Sequence, residues 1–288
     1  MRRRGIFAAA ASAVAVGATA IAAVAGGPAP GVMNGAPGIA VAGGAHVTAT
    51  VQGNGTTRVE LVRDRDGKTL RARTIPARLG VPLITFSGVA EGTFDQGRKL
   101  LLASSIYDDR VSTTFVTLDT RTLATLSTVK LGGSFAFDAL SPSGRKLYVT
   151  QFPNGLNGPI RYVVRSLDLA TGKLDKGAIV DKTEPGERMS GIPMSRAWST
   201  DRGWAYTLYN GLESHAFVHA LDVKNRRARC IDLPWRGAMQ NGLETIRMVY
   251  GRTGILTLTQ PGVGVLARID TRGFKVDVLR NPAPPPAS

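Results

Sequence analysis

The amino-acid sequence predicts an all-β fold, a β-propeller of about five four-stranded blades. Three observations support this prediction. Strand-like segments recur with a period of about fifty residues, turn residues separate them, and no segment shows convincing helical periodicity. A single sheet of four short strands cannot bury both of its faces alone. Copies of the sheet must therefore stack on one another.

The clearest repeat unit runs from Phe135 to Lys173. Its first apolar segment ends in the turn Ser141-Pro142-Ser143-Gly144, where proline presets φ and glycine accepts a positive φ. The next segment, Lys146–Phe152, is rich in β-branched and aromatic residues, as half-buried strands are. A loop with two Asn-Gly pairs, an alternating segment at 162–168, a second turn and a last strand from Leu174 complete the unit. These segments predict the four strands of one blade.

Two markers repeat along the chain and define the other blades. The first is a turn at the end of the innermost strand, which occurs at residues 94–97, 141–144, 199–203 and 250–254. The second is an apolar strand that ends in aspartate, at Asp119, Asp168, Asp222 and Asp270. An aspartate side chain can accept hydrogen bonds from its own turn backbone, which explains the residue type. Successive aspartates lie 48 to 54 residues apart, and this regular spacing indicates a repeat.

The run SPSGRKLYV, followed by SLDLATGKL, resembles the blades of the bacterial secreted YVTN/YncE-like and WD40-like propeller families. The Tyr-Val-Thr-Asn string of that family is here Tyr148-Val149-Thr150-Gln151. The resemblance implies an extracytoplasmic propeller that serves in binding or as a scaffold. Relatives with similar blades include lactonases.

Composition divides the chain into four parts. Residues 1–25 have a basic start, an Ala/Val-rich run and small residues at the end, which is typical of a secretory signal peptide or, if uncleaved, an N-terminal membrane anchor. Residues 26–44 predict a flexible linker, residues 45–280 the propeller, and residues 281–288 a Pro-rich tail. Both interpretations of the N-terminal segment place the propeller outside the cytoplasm, either secreted or anchored to the membrane.

The charge balance favours anionic partners. The net charge is +15, and only three of the arginines belong to the N-terminal segment. The densest basic run is Lys224-Asn225-Arg226-Arg227-Ala228-Arg229, which predicts either a charged strand edge that blocks strand addition or a surface for an acidic envelope polymer or lipid headgroups. We expect no nucleic-acid partner, because aromatic residues do not alternate with these charges and the predicted compartment is extracytoplasmic. We expect a monomer.

No sequence motif indicates catalysis, a metal or another cofactor. The chain has no Gly-x-Ser-x-Gly elbow. His215 and His219 would lie roughly 13 Å apart along a strand, too far to share one ion. We therefore favour a non-catalytic extracytoplasmic propeller that binds a ligand or a protein at the cell envelope. The alternative is a propeller enzyme, lactonase-like or another hydrolase, with its site at the channel mouth.

One register of the innermost strands carries a charge in four blades. The residue three positions before each inner turn is Glu91, Asp138, Arg196 or Arg247. Charges between packed sheets would need full pairing, so we expect these four to face the channel as a ring. They would either pair across the channel or bind an anionic ligand through the two arginines. We predict this ring as the ligand-binding site, with an anionic small molecule or an unknown protein as partner.

Overall fold

The computed structural model describes residues 31–107, 111–153, 161–184, 189–211, 215–235 and 242–284. In this part of the chain the regular elements are strands and one short 3₁₀ helix, η1 (Leu243–Thr245). The strands are β1 (Gly31–Met33), β2 (Gly35–Val41), β3 (Ala45–Val51), β4 (Thr57–Arg63), β5 (Thr69–Ile75), β6 (Val81–Leu83), β7 (Thr93–Phe94), β8 (Lys99–Ala103), β9 (Ser112–Asp119), β10 (Thr125–Gly132), β11 (Ser134–Leu140), β12 (Lys146–Phe152), β13 (Arg161–Asp168), β14 (Lys173–Leu174), β15 (Met189–Ser190), β16 (Pro193–Trp198), β17 (Trp204–Tyr209), β18 (Phe217–Asp222), β19 (Arg227–Asp232), β20 (Arg247–Tyr250), β21 (Ile255–Gln260), β22 (Gly264–Asp270) and β23 (Lys275–Val278).

These strands build five blades, and each blade contains four consecutive antiparallel strands. Blade 1 is β2–β5, blade 2 is β7–β10, blade 3 is β11–β14, blade 4 is β16–β19 and blade 5 is β20–β23. Strand β15 adds to β13 at the edge of blade 3, and β1 pairs with β6 in a separate two-stranded sheet. The predicted five-bladed β-propeller is confirmed.

The turn aspartates behave as the sequence predicts. In blade 3, Asp168 Oδ1 accepts hydrogen bonds from the backbone N–H groups of Ala170 (3.1 Å) and Thr171 (3.0 Å). Asp222 does the same in blade 4 with the N–H groups of Lys224 and Asn225. The bonds from Thr171, with those from Arg145, lower the pKa of the Asp168 carboxyl to about 2. The aspartate therefore stays ionised and stabilises the turn between the third and fourth strands.

The predicted linker at residues 26–44 is wrong from residue 31 onward, where the chain forms strands β1 and β2, and residues 26–30 lie outside the described part. Ile39 is buried and pairs with Val47 of β3, so β2 is the innermost strand of blade 1. Strand β1 lies against Gly80, where a Cβ atom would come within 2.6 Å of the Met33 carbonyl oxygen. Backbone hydrogen bonds between strands need no large side chains. A Gly- and Ala-rich segment can therefore form a strand although its composition predicts a linker.

The predicted Pro-rich tail begins as part of blade 5. The side-chain amide of Gln260 donates a hydrogen bond to the Ala283 carbonyl (2.7 Å) and accepts one from the Ala283 N–H (2.9 Å). Gln260 is itself buried. The tail is therefore fixed at Ala283, and residues 285–288 lie outside the described part, as do residues 1–25.

Apolar clusters join neighbouring blades. Blades 1 and 2 share one cluster, blades 2 and 3 a second, blades 3 and 4 two more, and blades 4 and 5 another. Among the described residues, none of these clusters combines blade 1 with blade 5. Blades 1 and 5 each carry polar residues on the face that points away from their neighbour, where Thr48 pairs with Glu60 and Thr257 pairs with Arg268. The stack is therefore apolar inside and polar at its two end faces.

In the described part of the chain, no helix has the length and apolar composition needed to cross a membrane.

Candidate functional site

A connecting segment fills the centre of the molecule. Residues 84–91 follow β6, precede the first strand of blade 2 and reach the innermost strand of blade 4. There the Phe86 N–H donates to the Pro193 carbonyl (2.7 Å), and Ser87 Oγ donates to the Met194 carbonyl (3.1 Å). Ile84 at the start of the segment is buried in the apolar cluster between blades 2 and 3. The segment therefore connects three blades at the axis.

The predicted residues Asp138 and Arg196 meet at this axis. Asp138 is the extra residue of a β-bulge in β11, because the pairing with β12 shifts between Phe137 and Ala139. Arg196 Nη2, from β16 of the next blade, donates a hydrogen bond to Asp138 Oδ1 at 2.6 Å. Their side chains are only 1% and 4% exposed. A bulge redirects a side chain, and here it aims a carboxylate at a buried guanidinium.

Glu91, the third predicted residue, lies beside this pair. Its Oε1 atom accepts a hydrogen bond of 2.7 Å from the indole N–H of Trp198. Burial raises the pKa of the Glu91 carboxyl, although the positive charge of Arg196 and the Trp198 hydrogen bond oppose the shift. Burial acts in the opposite sense on Arg196, but the Asp138 and Glu91 carboxylates outweigh it and raise the pKa of the guanidinium. The cluster thus places the protonated guanidinium of Arg196 between the carboxyl groups of Asp138 and Glu91.

Three polar atoms of the pair have no hydrogen-bond partner among the described residues. They are Asp138 Oδ2, Arg196 Nε and Arg196 Nη1, and all three are buried. A cavity of about 10 Å³ lies next to Asp138, between Tyr162 and Tyr209. That volume is at the lower limit for one water molecule. The pair is therefore held by one strong contact and retains unused hydrogen-bonding capacity.

Arg247, the fourth predicted residue, does not join the other three. It lies on β20, is exposed, and pairs across the sheet with Thr259 on the end face of blade 5. The prediction of a four-residue channel ring is therefore wrong at this position. The assumption that these charges avoid the space between packed sheets is also wrong for Asp138 and Arg196, which are buried as an ion pair between blades 3 and 4.

Beside Glu91 there is a larger cavity of about 300 Å³, which we call the axial cavity. Seven of its ten lining residues are apolar or glycine, and its two charged side chains are Glu91 and Arg202. Arg202 is exposed, and its guanidinium carbon lies 4.3 Å from the centre of the Trp198 ring. The remaining lining residues are Ile39, Ala40, Val89, Ala90, Gly92, Thr93, Phe137 and Leu140. Sequence reasoning missed Arg202 and Trp198, because neither stands in the aligned register.

The chemistry of the axial cavity suits binding. Apolar walls with a few directed polar groups are the usual lining of a small-molecule site. The arginine is oriented by stacking on Trp198, and Trp198 is in turn oriented by its bond to Glu91. In the described part of the chain, no group of three or more His, Cys, Asp or Glu side chains is placed to hold a metal ion.

The fold is shared with solved structures of low sequence identity. Hydrazine synthase of Kuenenia stuttgartiensis aligns with 92% of this chain and 70% of its own, at 15% identity and a TM-score of 0.50. BamB from Moraxella catarrhalis aligns over 84% of this chain and 64% of its own, at 17% identity and a TM-score of 0.47. The β-propeller domain of Cps50 (Swd1) from Myceliophteria thermophila aligns over 85% and 73%, at 10% identity and a TM-score of 0.43.

At these identities the likeness concerns the fold alone. No protein-family model and no curated protein sequence matches the chain. The class of the protein is therefore that of its architecture, a β-propeller.

Proposed function

We propose that the protein is an extracytoplasmic, non-catalytic propeller of the YncE-like type, which binds a carboxylate-bearing ligand in the axial cavity. The ligand is either a small anionic molecule or an acidic side chain of a protein partner at the cell envelope. The observation that carries the proposal is a cavity of about 300 Å³ at the axis, whose lining residues are mostly apolar and include one oriented arginine.

The two charged side chains of the cavity have different roles in this proposal. The guanidinium of Arg202 presents a planar group of donors that fits a carboxylate. Glu91 would repel an anion when ionised, but burial raises the pKa of its carboxyl and makes the neutral form easier to reach. A neutral Glu91 can also donate a hydrogen bond. Binding of an anion should therefore strengthen as the pH falls through the raised pKa of Glu91.

The binding test compares two exposed arginines in corresponding turns. Arg202 belongs to the inner turn of blade 4 and lines the cavity, whereas Arg252 belongs to the inner turn of blade 5 and does not. We expect benzoate or a linear carboxylate up to hexanoate to bind the unaltered protein in calorimetric titrations. Arg202→Gln should weaken this binding roughly tenfold or more, since it removes a charge-assisted contact. Arg252→Gln should leave it within about twofold.

Benzamide, which has the same ring without the charge, serves as the ligand control and should bind more weakly than benzoate. If no carboxylate of this series binds, or if benzoate binds both arginine variants equally well, the proposed site is wrong.

The export part of the proposal has its own test. The mature chain should begin near Gly26 if the N-terminal segment is a cleaved signal peptide. N-terminal sequencing of the protein recovered from the envelope and the medium decides this. An intact Met1 or Arg2 on membrane-bound protein would establish the anchor instead, and recovery from the cytoplasm alone would contradict both.

A further inference from the structure

A second concave site lies at the outer strands of the blades. It is bounded by residues 178–182, which follow blade 3, by β19 of blade 4 and by the turn at residues 271–274 of blade 5. We call it the rim groove, and its volume is about 440 Å³. Residues 178–182 are fixed there because Ile179 pairs with Val164 and Asp181 pairs with Ala228. Three blades therefore contribute to one preformed groove.

The wall of the rim groove contains two aromatic rings. Trp204 and Phe274 lie with their ring centres 5.6 Å apart. The guanidinium carbon of Arg229 is 5.7 Å from the centre of the Phe274 ring, which holds this ring in place. The indole N–H of Trp204 has no acceptor among the described residues. Val180, another lining residue, is 36% exposed. The groove thus offers a partly apolar surface with two aromatic rings, and the indole N–H of Trp204 is available as a hydrogen-bond donor.

Five cations border the groove, and three of them are already paired. Arg227 contacts Asp222 (2.8 Å), Arg229 contacts Asp181 (3.3 Å), and Arg226 contacts Asp175 (3.1 Å). The basic run identified in the sequence is therefore largely neutralised by aspartates of the same chain.

The positive charge that remains belongs to two other residues. Lys182 and Arg272 both line the rim groove, and both are exposed. Neither has a carboxylate partner in the part of the chain that the structure describes. They lie on different blades, at the boundary segments that enclose the aromatic wall. Two unpaired cations therefore face a common groove.

We propose that the rim groove binds an acidic saccharide, a chain of sugar rings that carry carboxylate or phosphate groups. The apolar face of a sugar ring packs on Trp204 and Phe274, because aromatic rings present a negative face to C–H groups. The anionic group of the sugar binds Lys182 and Arg272. The volume lies within the usual range for small-ligand sites. A membrane surface fits less well, because the two rings line a concave groove and do not project from the surface.

The test uses the full chain and three saccharide probes in calorimetric titrations. The probes are trigalacturonic acid for carboxylates, glucose 6-phosphate for phosphates and maltotriose as the uncharged control. We expect one or both acidic probes to bind more tightly than maltotriose, and added NaCl to weaken them. The variant Lys182→Gln/Arg272→Gln should weaken the acidic probes roughly tenfold or more and leave maltotriose unchanged, because it removes the charges and keeps the rings.

The control variant is Lys130→Gln/Arg247→Gln, which makes the same change of charge at two exposed positions outside the rim groove. It should leave all affinities within about twofold. Equal losses in the two double variants would overturn the proposal, since they would show a response to overall charge alone. The proposal is also wrong if neither acidic probe binds, or if only phosphatidylglycerol vesicles bind, which would identify a membrane-facing surface.

The binding tests of the axial cavity and of the rim groove are independent of each other. The pair Lys182 and Arg272 does not line the axial cavity, and Arg202 does not line the rim groove. Loss of one binding activity in its own variant therefore leaves the other measurable.

Discussion

Blade 3 and blade 5 have the same strand order but bury their side chains differently. All seven residues of β11, the innermost strand of blade 3, are buried. In β20 of blade 5, exposed and buried residues alternate. Blade 3 has apolar clusters on both faces, whereas the apolar packing of blade 5 among the described residues is shared with blade 4 alone. Whether a given position of the repeat is buried or exposed therefore depends on which blades pack against it.

The comparison predicts that equivalent positions respond unequally to the same substitution. The largest difference should be between Arg196 and Arg247, which occupy the same register on blades 4 and 5. Arg196→Gln leaves Asp138 as an uncompensated buried carboxylate, and we expect a loss of about 3–5 kcal/mol in the free energy of unfolding. Arg247→Gln changes an exposed side chain and should stay within about 0.5 kcal/mol. Equilibrium unfolding in urea, followed by circular dichroism, measures both.

A double variant tests the cause of this loss. Asp138→Asn combined with Arg196→Gln removes the buried charge that the single change leaves unpaired, so part of the stability should return. Equal losses of unfolding free energy in Arg196→Gln and Arg247→Gln would mean that the burial of Arg196 does not affect the cost of its substitution.

A smaller difference is expected between two glycines of the inner turns. Gly144 in blade 3 (φ 67°) and Gly254 in blade 5 (φ 80°) both have a backbone conformation that alanine tolerates poorly. A Cβ atom at Gly144 would overlap the ring of Phe94 from blade 2, whereas at Gly254 the nearest atom would be 3.6 Å away. Gly144→Ala should therefore cost about 1–3 kcal/mol more than Gly254→Ala.

Thermal unfolding of the two alanine variants provides the measurement. Restoring space with Phe94→Leu in the Gly144→Ala background should recover part of the difference. If the two alanine variants unfold at the same temperature, then packing between blades 2 and 3 is looser than the structure indicates.

The smallest expected effect is a dependence on pH at the centre of the stack. Because the folded state raises the pKa of Glu91 above its ordinary value of 4.5, folding favours the protonated form. This contribution to stability is fully present below about pH 4.5 and is lost as the pH rises through the raised pKa. Glu91→Gln keeps the acceptor for Trp198 and cannot ionise. The unaltered protein should therefore become progressively less stable than this variant as the pH rises.

Melting temperatures of the two proteins between pH 4 and pH 8 test this prediction. A stability difference that does not vary over this range, or that grows in favour of the unaltered protein, would show that burial does not dominate at Glu91.

The repeat was predictable because its signals are local. An aspartate and the turn N–H groups that it accepts lie two or three residues apart, as at Asp168 and Asp222. Such contacts depend on a short stretch of sequence, and each blade therefore carries its own signature. The same holds for the positive-φ glycine of the inner turn.

The candidate site was predictable only in part because its contacts are distant in the chain. Asp138 and Arg196 are 58 residues apart, and Glu91 and Trp198 are 107 residues apart. Aligning the repeats selected the correct register for three residues, but it assumed that every blade has the same neighbours. Blade 5 does not share that environment, so Arg247 was misplaced. The blade 1 strand β2 was missed for a different reason, since it is held by backbone pairing and its composition is that of a linker.

The contact of residues 84–91 with blade 4 also sets an order of events during synthesis. Ser87 and its partner Met194 are separated by 107 residues. A ribosome adds residues at roughly 5–20 per second, so Ser87 waits roughly 5 to 20 s before Met194 is made. During that interval the N–H of Phe86 and the carboxylate of Glu91 lack the partners that blade 4 provides. The first three blades can emerge and pack in turn, but the centre of the molecule is completed only when blade 4 has left the ribosome.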